Sequence, residues 1–229
     1  MRASDWLGFG ALAALIVSAA VLASGRPGWA LASFLLGSVA ALLTRHWSTK
    51  HPGPMPYALR WTLRVPRGNH SPEHLLRALD PRAGERILEI GPGVGIHALP
   101  VATALAAGGT LDVFDIQQEM LDDVMRRARS AGITNIAPRQ GSADTLPYSD
   151  GSFDGAYLVG VLGEIPNGPA ALRELHRVLK PRGRLVIGEI FFDPEFVRLG
   201  AVVQLASAAG FALEQKLGNS LSYLARFRR

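Results

Sequence analysis

From Ser71 onward the sequence alternates short apolar runs of strand length with amphipathic helical periods, and this alternation restricts the possible folds more than any other feature. Strands are expected over residues 86–90, 110–115, 133–140, 153–159, 183–191, 211–217 and 221–227. Between them fall helices at 95–107, 117–131, 168–179 and 195–209, preceded by a short helix (EHLLRALD) that Ser71 caps and Pro72 opens. Strands joined through helices pair in parallel, whereas the last two, separated by the turn Asn219-Ser220, have to be antiparallel. The expected fold class is α/β: a doubly wound, mainly parallel seven-stranded sheet ending in an antiparallel hairpin.

The first 44 residues have a different character. Residues 6–25 and 27–44 are two uncharged runs separated by Arg26, each close to the ~20 residues that cross a ~30 Å hydrocarbon core as helix. Only three of the 43 charged residues (Arg2, Asp5 and Arg26) lie before Arg45. Turn chemistry at Ser24-Gly25-Arg26-Pro27-Gly28 joins the runs, so a transmembrane helical hairpin is expected over residues 1–44. A cleaved signal peptide ending near Ala23 fits less well, because the apolar run is too long for one and a second run follows at once.

Residues 45–70 carry Arg45, Lys50, Arg60, Arg64 and Arg67 with no acid, together with Trp47, Tyr57 and Trp61. This basic aromatic segment is expected to lie on an anionic leaflet, where each cation contributes on the order of 1 kcal/mol. Basic flanks face the cytoplasm, which places the protein as multi-pass in the cell membrane with residues 71–229 on the cytoplasmic side. The formal net charge of +5 belongs to this collar, since residues 71–229 hold 17 basic and 18 acidic side chains. A near-neutral domain argues against a nucleic-acid partner. With no cysteine the chain has no disulfide, thiolate metal site or thiol nucleophile, and no metal site is assigned.

Chemistry enters at Glu89-Ile90-Gly91-Pro92-Gly93-Val94-Gly95, between the first strand and its helix. Glycines there let the backbone approach a nucleotide-like ligand at the carboxyl edge of the sheet. The dinucleotide fingerprint asks for glycine or alanine where Ile96 stands, and no G-K-[ST] follows, so the nicotinamide and P-loop readings are disfavoured. The second strand ends in Asp115, where a carboxylate can accept both hydroxyls of a ribose.

Further runs follow in order: Asp115-Ile116-Gln117-Gln118, Gly141-Ser142-Ala143-Asp144, Asp150-Gly151-Ser152-Phe153-Asp154, and Arg173 through Lys180-Pro181-Arg182-Gly183-Arg184-Leu185. In these motifs, residues 71–229 resemble the class I S-adenosylmethionine-dependent methyltransferases, and within them the branch that methylates quinones and phospholipids. Arg182 departs from the commoner glycine in a turn away from the cofactor. The resemblance implies S-adenosyl-L-methionine as cofactor. Glu89 would hold its ammonium, and Gly91, Pro92, Gly93 and Gly95 would let the chain close over it. Asp115 would bind the ribose hydroxyls and Ile116 would pack on the adenine. Asp144, beside the Ala143 backbone, would accept from the adenine amine, and Val159 and Gly160 would floor the methionine portion.

Methyl transfer from a sulfonium is an in-line displacement that needs alignment more than a dedicated residue. A phenol or ammonium acceptor does need a base, for which His97, Glu164, Glu189 and Asp193 are candidates; Tyr57, His51 and His70 join them if residues 45–70 fold over the site. Two apolar spans point to a lipid-like or membrane-associated acceptor: a phospholipid amine, a quinone or another lipid. The alternative is a non-catalytic, membrane-anchored protein that binds S-adenosylmethionine or acts as a scaffold.

Overall fold

The computed structural model describes residues 27–64, 70–105 and 108–229. The expected first apolar span at 6–25, and Arg67 of the basic segment, lie outside the described residues. Helix α1 (Pro27–Lys50) and a 3-10 helix (Tyr57–Arg64) precede the domain. There follow α2 (Pro72–Leu79), β1 (Arg86–Ile90), α3 (Ala98–Ala104), β2 (Thr110–Asp115), α4 (Gln118–Ser130), β3 (Ile136–Gln140) and β4 (Phe153–Val159). A short 3-10 turn (Leu162–Glu164), α5 (Gly168–Val178), β5 (Leu179–Ile190), α6 (Leu199–Ala208), β6 (Ala212–Gly218) and β7 (Ser222–Arg228) complete it.

The seven strands form one sheet in the order β3-β2-β1-β4-β5-β7-β6. Every pair from β3 to β5 is parallel, and β7 runs antiparallel between β5 and β6. Asn219 makes the last reversal, its Oδ1 accepting from the Leu221 and Ser222 amides at 2.9 and 3.0 Å. Ser71 caps α2 ahead of Pro72 as expected, and Asn167 caps α5 ahead of Pro169. Both sheet faces are covered, one by α2, α3 and α4 over Ile87, Leu111 and Val113, the other by α5 and α6 over Leu88, Leu158, Leu185 and Ile187. The central strands are accordingly mostly apolar, as two buried faces require, with Glu89 of β1 and Asp112 of β2 as buried charged exceptions.

Two expectations change here. Strand β5 starts at Leu179 rather than 183, because Leu179 already pairs with Phe153; the ladder is then irregular over residues 180–183, with Arg182 at φ +63°, before Arg184 pairs with Gly155. The second apolar run is helical but does not end at Thr44; it continues to Lys50, and among the described residues no helix is long and apolar enough to cross a membrane. Its carboxy-terminal half is polar on one side, and Thr44 and Ser48 are buried against the domain. Leu31, Phe34, Leu35, Leu36, Val39, Leu42 and Leu43 are exposed.

Candidate active site

The loop after β1 turns back on itself with Gly91, Gly93 and Gly95 at φ +66°, +53° and +78°. The Gly91 amide donates to Phe114 O of β2 at 2.9 Å, which holds the loop over the carboxyl edge of the sheet. A Cβ at Gly91 would lie 2.5 Å from Val161 Cγ2, and one at Gly93 would lie 2.8 Å from Leu63 Cδ1. Gly95 serves packing instead, since its missing Cβ lets Leu99 and Val124 close on the loop at 3.0 and 3.3 Å. Arg127 of α4 fastens the same loop by donating to Val94 O.

Two carboxyls sit beneath it. Glu89, in mid-sheet and 3% exposed, keeps Oε2 buried without a hydrogen-bond partner. Desolvation, reinforced by nearby Asp115 and opposed by the Tyr157 hydroxyl, pushes its pKa up to about 8. At the end of β2, Asp115 Oδ1 accepts from the Gln117 amide at 2.8 Å, and burial raises its pKa to about 6.

Both shifts oppose the ionised form, so the folded protein holds protons that the unfolded chain releases. Their stabilising effect is full below the ordinary carboxylate range and is lost as pH rises through about 6 for Asp115 and about 8 for Glu89. The ligand-free protein should therefore unfold at lower urea concentration at pH 8 than at pH 5.5. The slope for Glu89 alone is at most about 1.4 kcal/mol per pH unit. Equal midpoints at the two pH values would contradict the burial of these charges.

The loop and the strand ends open into a cavity of about 1050 Å³. Of the residues expected at a cofactor, Gly91, Gly93, Asp115, Ile116, Ala143, Val159 and Gly160 line it. Ile116 is 51% exposed and offers an apolar face to the cavity. Glu89, Pro92 and Gly95 lie behind this lining, and Asp144 is half-buried beside it.

The opposite wall comes from the segment expected to lie on a leaflet. Residues 51–64 instead cross the domain, and Pro54, Met55, Pro56, Leu59, Trp61, Thr62 and Leu63 roof the cavity. Met55 is held from two sides, its amide donating to Glu164 Oε2 at 3.2 Å and its carbonyl accepting from Gln117 Nε2 at 2.9 Å. Tyr57 donates to Asp123 Oδ1 at 3.2 Å, and Arg60 pairs with the same carboxylate at 3.4 Å. Part of the basic collar is thus engaged with α4. Arg45 of α1 donates to Phe191 O and Asp193 O at 3.0 and 3.4 Å while its guanidinium lies 4.8 Å from the centre of the Phe191 ring.

This geometry sorts the candidate bases. Glu164 and Asp193 line the cavity. Glu189 is 1% exposed beneath it, where Oε2 accepts from the Val197 amide at 3.1 Å. His97 Nε2 is 2.8 Å from His70 O, His70 Nε2 is 3.1 Å from Tyr223 O, and Tyr57 is committed to α4, so none of the three faces the cavity. His51 stacks on Trp47 at 4.4 Å and is exposed. The sequence reading missed Val161, Met55, Leu63 and Leu221 as lining residues. For Met55 and Leu63 the local signal was the proline-spaced apolar pattern of 52–63, which does not name a target, and Val161 and Leu221 carried none.

Residues 88–187 match the family model described as "Methyltransferase domain". The demethylmenaquinone methyltransferase of Clavibacter sepedonicus is 33% identical over 148 residues, 64% of this chain and 58% of that protein. The ubiquinone/menaquinone biosynthesis C-methyltransferase UbiE of Coxiella burnetii is 36% identical over 138 residues, 60% of this chain and 54% of that protein. The chain thus spans little more than half the length of these two relatives. Among solved structures, an S-adenosylmethionine-dependent methyltransferase from Aquifex aeolicus superposes with a TM-score of 0.69 at 18% identity, covering 76% of this chain and 98% of that one. That likeness concerns the fold.

Proposed function

We propose that this chain, whose residues 88–187 form a class I S-adenosylmethionine-dependent methyltransferase domain, is an enzyme that methylates a lipid-like small molecule at a membrane surface. The observation that carries this reading is the continuity of one cavity from the glycine loop and Asp115 to an apolar roof built by α1 and the segment after it. A cavity of about 1050 Å³ is at the upper end for a single small ligand and has room for a cofactor and an acceptor side by side.

The residues fit S-adenosylmethionine. Glu89 Oε2, buried without a partner, matches a ligand ammonium. The bare backbone at Gly91 and Gly93 leaves the loop free of side chains where a ligand has to pass close. Asp115 presents a carboxylate for ribose hydroxyls, Ile116 an apolar plate for the adenine, and Ala143 with neighbouring Asp144 the polar groups for its edge. Val159 and Gly160, the latter at φ +67°, form the floor. When bound, the cofactor supplies an electrophilic methyl group on a sulfonium. The chain's part is to hold the acceptor in line with that carbon behind a roof that excludes water; alignment of this kind lowers a barrier by up to ~7–11 kcal/mol.

Support for a membrane-derived acceptor comes from α1, which exposes Leu31, Leu35, Leu36, Val39 and Leu42 and then delivers Thr44 and Ser48 to the cavity wall. Trp61, Phe192 and Leu221, exposed and lining the cavity, extend the apolar surface to its rim. The relatives named for quinone biosynthesis are in keeping with an acceptor of low polarity. The test is turnover of methyl-labelled S-adenosylmethionine on vesicles of total membrane lipid. Label should appear in an organic-extractable product, and label found only in water-soluble molecules would overturn the lipid acceptor.

A further inference from the structure

Glu89 has a polar neighbour that cofactor binding, as derived so far, leaves unused. It pairs with Tyr157 of β4 in the sheet register, and the two side chains stand next to each other on the face covered by α2, α3 and α4. Their flanking partners in that row, Val113 on β2 and Val186 on β5, are apolar and fully buried. Tyr157 is fully buried as well, and its hydroxyl, like Glu89 Oε2, has no hydrogen-bond partner. A buried tyrosine ordinarily finds one. Filling the space alone would favour phenylalanine, because a hydroxyl buried without a partner costs free energy. Desolvation first and then Glu89 raise the tyrosine's pKa well above its ordinary value, while the hydroxyl opposes the rise that burial imposes on Glu89. The two groups therefore act on one another although neither has completed a bond.

Resting on the methyltransferase reading above, we propose that Tyr157 is a positioning residue for the cofactor: when Glu89 ionises against the ligand ammonium, the Tyr157 hydroxyl donates to the same carboxylate from its buried side. A carboxylate has acceptor sites enough for both donors. An ion pair taken out of water is favourable only where hydrogen bonds satisfy its remaining lone pairs, and Tyr157 brings that second donor. The carboxyl proton of Glu89 leaves to solvent as the ammonium arrives, so the bound state holds one negative charge between one cation and one hydroxyl.

The other ionisable groups around this row do different work. Asp115, at the end of β2, opposes the ionisation of Glu89. The buried side chains of α2 and α3 are all apolar. On α4, Asp123 is held by Tyr57 and Arg60, and Arg127 donates to Val94 O. Arg226, in the same row on β7, donates to Ala78 O and pairs with Glu214. His97 Nε2 is 2.8 Å from His70 O, and His70 Nε2 is 3.1 Å from Tyr223 O. Taking the hydroxyl away removes an interaction that favours ionised Glu89. The carboxyl pKa, about 8 with Tyr157 in place, then rises further, and ligand binding has to expel a proton up to a higher pH.

The test is Tyr157→Phe, read by calorimetry with S-adenosylhomocysteine on the full chain in buffers of different ionisation enthalpy, which counts the protons released on binding. At pH 7.5 the affinity should fall about tenfold, the size of one charge-assisted hydrogen bond. At pH 8.5, where Glu89 of the parent is already mostly ionised, the variant should release about 0.3 proton more per ligand than the parent. Urea unfolding at pH 5.5 should find the variant at least as stable as the parent, because the lost hydroxyl had no partner. Added to Glu89→Gln, the same substitution should change affinity by less than about twofold, since the group it serves is no longer charged. Unchanged affinity, unchanged proton release, a loss of stability at pH 5.5, or an equal loss of affinity in the Glu89→Gln background would each overturn the assignment. If the parent does not bind S-adenosylhomocysteine at all, the methyltransferase reading alone fails. The coupling is still read on the bare protein, where the pH at which urea stability stops falling should be higher in Tyr157→Phe than in the parent. An unmoved pH would overturn it.

Discussion

Replacing Glu89 by glutamine is expected to weaken S-adenosylhomocysteine binding about a hundredfold while making the ligand-free protein more stable at pH 8. The two effects have one cause. Glu89 is enclosed in the sheet with Oε2 unpartnered, and its pKa of about 8 means that the empty protein resists the charge it carries there. In the proposed complex a ligand ammonium would supply the missing partner, and a charged hydrogen bond of this kind is worth about 1.5–3 kcal/mol, rising toward 3–5 where the pair is buried. Glutamine keeps the shape and removes the charge, so it forfeits that gain together with the cost of ionisation. Calorimetry with S-adenosylhomocysteine measures the first effect, and urea unfolding at pH 5.5 and 8 the second. Binding within threefold of the parent would show that Glu89 does not hold the ammonium. An unchanged pH dependence of unfolding would show that its burial does not govern stability.

Gly91→Ala should abolish cofactor binding and lower stability by about 2 kcal/mol or more. Two costs add at this position. An L-residue in the left-handed region costs about 1–2 kcal/mol, and Gly91 stands at φ +66°. The new methyl would also lie 2.5 Å from Val161 Cγ2, where the loop meets the end of β4. The contributions separate in the double variant with Val161→Ala, which relieves the contact but not the backbone strain. Stability should recover in part, by the share due to contact, while binding should stay impaired because a loop that has left its conformation no longer aligns with Asp115. Full recovery of both in the double variant would place the whole effect in the Val161 contact. Urea unfolding and calorimetry on the two variants decide between these outcomes.

How far the sequence could be read depends on the range over which each signal acts. Strands 86–90, 110–115 and 153–159 were legible to the residue, because an apolar run bounded by turn residues is a local property. The helix expected over 95–107 begins only at Ala98, since the glycine loop with its left-handed residues holds the chain in turns up to His97. At the carboxyl edge, Gly91, Gly93, Asp115, Ala143 and Gly160 were placed correctly around one cavity because each follows directly from a strand end, and parallel strands bring those ends to the same edge.

The opposite wall of the cavity could not be read this way. Glu164 and Asp193 looked no different from His97 and Glu189 as candidate bases, and Tyr57 depended on residues 45–70 folding over the site, because nothing in the sequence near any of them states which way its side chain faces. Their separation came from contacts across long stretches of chain: Met55 to Glu164, Arg45 to Asp193, Leu63 against Gly93, and Tyr57 drawn away to Asp123. The same is true of residues 51–64, whose cations and aromatics suit an anionic surface equally well until the Asp123 carboxylate and the cavity rim compete for them. Local periodicity and turn chemistry thus determined the sheet, the glycine loop and the place of Asp115 at a strand end. The tertiary structure alone decided the roof and the placing of Glu164 and Asp193 in the cavity wall, because these arise where segments about 60 to 150 residues apart are packed together and the polar groups each contributes have to find partners in a shared, poorly solvated space.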